Sequence, residues 1–172
     1  MKPSKSEVAS KEGTRIGVLS DSHGDAMRTR RAVEELTRLG ATIFIHCGDI
    51  ETIECLDPLA GLDAHIVFGN CDEPSDLQGY ARSIGITVHH PLGEVIVDGQ
   101  RIAFTHGDDP KCMQRPIGSK AHWLFHGHTH LKRDIKIEST RVINPGALYR
   151  AKPHTVALVT PSSGLVEFQT IL

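Results

Sequence analysis

A chain of 172 residues is long enough for one domain with an unstapled core. Hydrophobic residues make up 39% and charged residues 23%, a profile that excludes disordered and membrane-spanning classes. Lysine plus arginine total 19 against 21 aspartate plus glutamate, so the net charge of −2 disfavours attraction to nucleic acid or an anionic membrane.

Residues 1–13 mix charge with small polar groups and read as a tail, leaving a single domain over 14–172. No apolar signal core and no run of about 18 apolar residues is present. The cysteines Cys47, Cys55, Cys71 and Cys112 form no Cys-x-x-Cys pair, so reduced thiols in a cytoplasm are expected. Ile16 to Ser20 is a short apolar run, expected to be a strand buried on both faces. A helix is expected from Ala26 to Leu39, with Met27, Val33, Leu36 and Leu39 on its inner face and Gly40 as its cap. Thr42 to Cys47 and His65 to Phe68 read as two more buried strands. This β–turn–α–β rhythm predicts a mostly parallel α/β sheet.

The second half reads as a hairpin of residues 94–97 and 101–105 around Asp98-Gly99, then a strand over Trp123–Phe125. Residues 133–138 alternate like a half-exposed strand, and residues 155–160 and 165–172 bracket a final turn. The whole is consistent with one domain containing two sheets.

Histidine is over-supplied, with 11 copies against 5 Phe, 2 Tyr and 1 Trp. It is the commonest metal ligand and a frequent acid–base group. Four of these histidines fall in polar clusters that directly follow apolar strands. The clusters are Asp21-x-His23, Gly48-Asp49, Gly69-Asn70, His106-Gly107 and Gly127-His128-x-His130. Ligands of open α/β sheets bind beyond the carboxyl ends of the strands, so five such ends can converge on one site. Any one of these residues alone also fits a turn or helix cap. Together, two aspartates, four histidines and an amide suit Mn, Fe, Zn or Ni. Seven donors exceed one tetrahedral ion and fit two ions sharing a carboxylate. If the Asp21-x-His23 and His128-x-His130 segments stay extended, each pair points to one side.

His46 is expected inside its strand. His65, His89, His90, His122, His126 and His154 are expected in turns or at the surface. Arg28, Arg30 and Arg31 are expected on a solvated helix face, and Asp108 is a candidate brace for His106.

The ordered set resembles the calcineurin-like metallophosphoesterase superfamily, whose pattern runs Asp-x-His, Gly-Asp, Gly-Asn-His-Asp/Glu, His, then Gly-His-x-His. Short length, Gly69-Asn70-Cys71-Asp72 and the late Asn144-Pro145-Gly146 are similar to its small bacterial and archaeal phosphodiesterase branch. The resemblance implies a four-layer α/β/β/α sandwich of two mixed sheets flanked by helices. It implies that Asp21, His23, Asp49 and His130 hold one metal, and Asp49, Asn70, His106 and His128 a second, with Asp49 bridging. Manganese is the expected ion, with nickel, iron and zinc compatible.

The chain departs from the family at Cys71, where the family often has a histidine viewed as helping the leaving group. A thiol is a weaker proton partner near neutral pH, so activated esters and diesters become the expected substrates. Asp72 is expected to orient that loop, while Cys71 alone also fits a small buried residue. The rival functions are a metal-binding interaction scaffold of the same fold and a nuclease. A spare sheet edge would allow self-pairing into a homo-oligomer.

Overall fold

The computed structural model describes residues 13–172. The expected tail over 1–13 therefore lies, but for Gly13, outside the described residues. The first half is built from strands β1 (Ile16–Leu19), β2 (Ile43–His46), β3 (Asp63–Ile66) and the short β4 (Thr87–Val88). Helix α1 (Ala26–Arg38) joins β1 to β2, and α2 (Pro74–Ser83) joins β3 to β4. All four strands pair in parallel. The second half holds β5 (Leu92–Val97), β6 (Gln100–Thr105), α3 (Pro110–Gly118), β7 (Trp123–Phe125), β8 (Arg133–Ile137) and β9 (Thr140–Asn144). The last strands, β10 (Thr155–Thr160) and β11 (Leu165–Thr170), return to the first sheet. One sheet has the order β11-β10-β1-β2-β3-β4 and the other β5-β6-β7-β9-β8, and both are mixed.

Side-chain alternation turns the two sheets into four layers. On β1, Ile16 and Val18 face the second sheet, where they meet Ile102, Phe104, Trp123 and Phe125. Leu19 and Phe44 face outward onto Ala32, Val33 and Leu36 of α1 and Leu77 and Ala81 of α2. Ala103, Leu124 and Val142 face the opposite way, onto Met113 and Ile117 of α3. The sandwich is therefore α/β/β/α, as the resemblance implies.

Local chemistry fixes the ends of these elements. Asp25 caps α1 by accepting the Arg28 N–H. The helix stops at Gly40 (φ 88°), where the Gly40 and Ala41 N–H groups bond back to Thr37 and Leu36. That pairing is a Schellman cap, which needs the left-handed conformation glycine adopts without strain. The hairpin turn has Asp98 at φ 50° and Gly99 at φ 76°, both positive as its tight geometry requires.

Four expectations about elements need correcting. Helices α2 and α3 and strands β4 and β9 have no counterpart among the expected elements. α2 buries only Leu77 and Ala81, and α3 carries an internal Pro116, so neither shows a clear apolar stripe. Met27 is 66% exposed, and the inner face of α1 is filled by Thr29, Ala32, Val33 and Leu36 instead. The β3 ladder runs over Asp63–Ile66, and Val67 and Phe68 continue buried beyond it. His126 is also buried, at 3% exposure, just beyond the end of β7 and against Gly107.

Candidate metal centre

All five polar clusters follow the carboxyl ends of β1, β2, β3, β6 and β7, and they meet at one end of the sandwich. His23, Asp49, Asn70, Cys71, His128 and His130 line a single open pocket of about 420 Å³. Asp21 lies beneath it, fully buried, and accepts the His128 backbone N–H at 3.1 Å.

Donor atoms in this cluster crowd one another. His106 Nε2 lies 3.3 Å from Asp49 Oδ2 and 3.1 Å from Asn70 Oδ1. His23 Nε2 lies 3.5 Å from the same Asp49 oxygen and 3.3 Å from His130 Nε2. His130 Nε2 in turn lies 3.2 Å from Asp21 Oδ1. Two trios, Asp21–His23–His130 and Asp21–Asp49–His106, each bring their ligand atoms within 4.8 Å of one another. Ligands about 2.1 Å from one ion stand roughly 3.0–3.4 Å apart for octahedral to tetrahedral angles, so this spacing suits donors sharing a cation.

The proton positions sharpen that fit. The His106 Nδ1–H donates to the Cys47 carbonyl at 2.8 Å, and His23 Nδ1–H donates to Glu51 at 2.7 Å. Each ring then offers a bare Nε2 lone pair to Asp49 Oδ2, an acceptor facing acceptors. Only an added proton or a metal ion relieves that arrangement. Without metal, the proton goes to His106. Burial alone would lower its pKa, but the bond to Asp49 overrides this and raises it to about 9. Burial raises Asp49, yet the His106 bond and the Cys71 N–H at 2.9 Å outweigh it and hold the carboxyl at about 2. Asp21 is pushed up by burial, with the Ser20 hydroxyl partly opposing. The mixed carboxylate, imidazole and amide donors suit a borderline divalent ion.

The extended-segment expectation for the ligand loops fails. Asp21 (φ 55°), His23 (φ 42°), Asp49 (φ 55°), Glu51 (φ 67°), His128 (φ 68°) and His130 (φ 59°) are all left-handed. Such a conformation costs roughly 1–2 kcal/mol for a residue with a Cβ, and strain of this kind concentrates at functional sites. Here it folds the loops sharply enough to aim successive side chains into one pocket. Gly69 and Gly127 complete the approach, because a Cβ on either would collide with Asp49 or with Ser20 and Asp21.

Of the seven expected donors, His128 stands apart. Its ring sits 5.1 Å from that of His106, T-shaped, and it joins neither trio. Cys71 is exposed rather than buried, and its Sγ lies 3.4 Å from Asn70 Nδ2. Asp72 accepts three backbone N–H groups, from Ile50 and Glu51 at 2.7 Å and Gly69 at 2.8 Å, and so ties the Asp49 and Asn70 loops together. The brace on His106 is the Cys47 carbonyl, and Asp108 is exposed and makes no bond to His106. Arg28 is engaged by Asp25 and the Leu148 carbonyl, and Arg31 by the Leu172 carbonyl. Three contributors escape the sequence reading. Glu51 orients His23, and the Tyr149 ring packs 5.3 Å from the His23 ring, with Arg150 beside it. Asn144, noted only as a motif residue, donates to the Gly127 carbonyl at 2.8 Å and Thr129 Oγ1 at 3.1 Å, holding the loop of His128 and His130.

The calcineurin-like phosphoesterase superfamily domain matches residues 14–164. The chain belongs to that superfamily. Its class of chemistry follows from the membership: phosphoester hydrolysis assisted by metal. Within the calcineurin-like phosphoesterases, the chain is 28% identical over 137 residues to Phosphodiesterase MJ0936 of Methanocaldococcus jannaschii, covering 77% of this chain and 82% of that protein. An archaeal phosphodiesterase of known structure superposes with a TM-score of 0.84 at 22% identity, over 92% of this chain and 100% of the other. Yfce, a phosphoesterase from E. coli, superposes at 0.67 with 19% identity, over 92% and 100%. Both solved structures share the fold. No helix of the described residues is long and apolar enough to cross a membrane.

Proposed function

We propose that the chain is a phosphodiesterase that hydrolyses small phosphoesters with two divalent metal ions, manganese foremost. One observation carries this reading: two histidines, each with Nδ1 committed to a protein oxygen, aim Nε2 at the same Asp49 oxygen. Asp21, His23, Asp49 and His130 would hold one ion, and Asp49, Asn70, His106 and His128 the other. When bound, the pair supplies positive charge for the phosphate oxygens and acidifies water to an attacking nucleophile at neutral pH.

The chain's own residues set the rest. Glu51 and the Cys47 carbonyl lock the tautomers of His23 and His106. Asp72 fixes the spacing between the Asp49 and Asn70 loops. Asn70 turns its carbonyl to His106 and leaves its amide hydrogens toward Cys71 and the pocket, where a phosphate oxygen can accept them. Burial, with the carboxylates of Asp49, Glu51 and Asp72, holds the Cys71 thiol above its ordinary range. It remains a thiol at neutral pH and is a weaker acid toward the leaving group than an imidazolium would be. Esters with good leaving groups and diesters are therefore the favoured substrates. Four free cysteines support a cytoplasmic setting.

The test is hydrolysis of bis(p-nitrophenyl) phosphate with Mn²⁺ or Ni²⁺, compared with p-nitrophenyl phosphate. Faster diester turnover that requires added metal is expected. Inactivity with every divalent ion, together with unchanged metal content in Asp49→Ala, would overturn the reading.

A further inference from the structure

Beside the metal pocket lies a second depression of about 460 Å³, formed where the loop after β7 meets the segment between β9 and β10. The two share His130 and Arg150, so they make one continuous trough. Lys132, Arg150 and Lys152 line the second depression, all three exposed, and no aspartate or glutamate lines it. None of the three is in an ion pair among the described residues. Lys132 rests over the Phe168 ring at 5.7 Å, and Arg150 over Tyr149 at 5.2 Å. Cation–π contacts position a charge without neutralising it.

Three unneutralised cations side by side are out of keeping with a chain of net charge −2. Catalysis does not need them, since the charge that meets the reacting phosphate comes from metal. Elsewhere Arg38 pairs with Glu35 and the half-buried Arg141 with Asp134. Leu131, 70% exposed, adds an apolar surface to the same wall.

We propose that this depression is a subsite for a second phosphate on the substrate, so that the enzyme acts on diesters carrying a further phosphate group. The inference rests on the phosphodiesterase reading above. With the scissile phosphate at Asp49 and Asn70, the retained alcohol runs along His130 and Leu131. Its second phosphate meets Arg150, Lys132 and Lys152. Arginine presents a planar fork to phosphate oxygens and the lysines add mobile point charges.

Two substrates with one leaving group separate the effects: thymidine 5′-(p-nitrophenyl phosphate), and the same ester bearing a 3′-phosphate. The 3′-phosphate should raise kcat/KM roughly 10-fold, chiefly through KM, as one or two charge-assisted hydrogen bonds would. The readout is the ratio between the substrates, which a merely structural role would leave alone. Arg150→Ala, and Lys132→Ala with Lys152→Ala, should each bring the ratio toward one, and Arg150→Lys should keep part of it. Calorimetric titration of thymidine 3′,5′-bisphosphate against thymidine 5′-monophosphate should show the same preference without turnover.

A wild-type ratio of one, or a ratio unmoved by the variants, overturns the subsite and leaves the phosphodiesterase reading standing. No nitrophenolate from either ester with any divalent ion overturns that reading instead, and the titration then decides the subsite alone. A thymidine decanucleotide that binds more tightly than the bisphosphate, with a steep salt dependence, would overturn the small-molecule assignment in favour of single-stranded nucleic acid.

Discussion

The two sheets bring opposite chemistry to the centre. Loops of the first sheet supply Asp21, His23, Asp49 and Asn70, with Glu51 and Asp72 behind them. Loops of the second supply only histidines: His106, His128 and His130. Each half alone would be poorly balanced, one crowded with carboxylates and the other with imidazoles. The bracing differs as well. On the first sheet a carboxylate, Asp72, gathers three N–H groups from two loops. On the second a buried amide, Asn144, holds one loop through a carbonyl and a hydroxyl. The site is therefore a product of docking, and its donors reach ligand spacing only when the inter-sheet core of Ile16, Val18, Phe104 and Phe125 is packed.

Asp49 Oδ2 faces one histidine from each sheet, His23 and His106, so breaking it should have the largest effect. Asp49→Ala should lower kcat/KM by about 10³-fold, the scale of losing a preorganised electrostatic partner. Metal content, read by elemental analysis, should fall with it. In the metal-free variant the pKa of His106, followed by NMR, should drop from about 9, because its carboxylate partner is gone and burial now dominates. A His106 that still titrated near 9 would mean that another group, such as Asp21, holds its proton.

The braces should give the next largest effects and should differ in kind. Asp72→Ala frees two loops that carry ligands and should reduce metal affinity roughly 10–100-fold. Asn144→Ala removes the amide bonds to the Gly127 carbonyl and Thr129 Oγ1 and leaves the buried Gly146 N–H without its Asn144 acceptor, so its main cost should be stability, about 1–3 kcal/mol. Metal titration and thermal melting of both variants check this. Equal losses on both measures would erase the distinction between the sheets.

How much of this was legible in the sequence follows from the same contrast. The seven donors could be found because each follows a short apolar strand, and strands report their own ends. The braces and orienting groups could not be assigned this way. Glu51 is one acidic residue after a turn, and Tyr149 and Arg150 lie in a loop with no periodic pattern. The left-handed backbone at Asp21, His23, His128 and His130 has no sequence signal either, because aspartate and histidine tolerate that conformation better than most residues with a Cβ yet adopt it only where the loop requires it. Helix α3 was hidden by Pro116, which reads as a breaker yet sits buried against the second sheet. His126 reads as a surface turn because it stands beside a glycine, whereas it lies buried just beyond the end of β7.

Buried histidines extend the comparison to pH. His46 of the first sheet bonds to Ser22 Oγ at 2.7 Å and accepts the Gly48 N–H at 3.2 Å, and burial lowers its pKa to about 3. In the second sheet, burial lowers His126 to about 4, and its Nε2 has no protein partner. For a base depressed on folding, the unfolded chain takes up the proton first. The stability from each neutral ring is thus complete above the ordinary value near 6.5 and is lost as pH falls toward 3 or 4. Between pH 7 and 5 each ring should cost about 2 kcal/mol, measurable from urea midpoints of metal-stripped protein. Replacing either with glutamine should flatten the pH dependence by a similar amount. His46→Gln should also lower stability at pH 7, because it disturbs two bonds, whereas His126→Gln should change little there.

The smallest effect belongs to the helical layer over the first sheet. Met27 lies in the opening turn of α1, where sequence spacing favours an inward position, but its side chain is 66% exposed. A lysine there removes no buried area and can extend its stem across the same surface, so Met27→Lys should shift stability by no more than about 0.5 kcal/mol. Leu36, on the buried face of the same helix, is fully enclosed, and Leu36→Ala should cost about 2–5 kcal/mol. The buried face of α1 runs through Thr29, Ala32, Val33 and Leu36, and Met27 lies off that face. Thermal melts of the two variants measure the contrast directly. A Met27→Lys loss above about 1 kcal/mol would show that the helix is rolled toward the sheet, with Met27 part of the outer core.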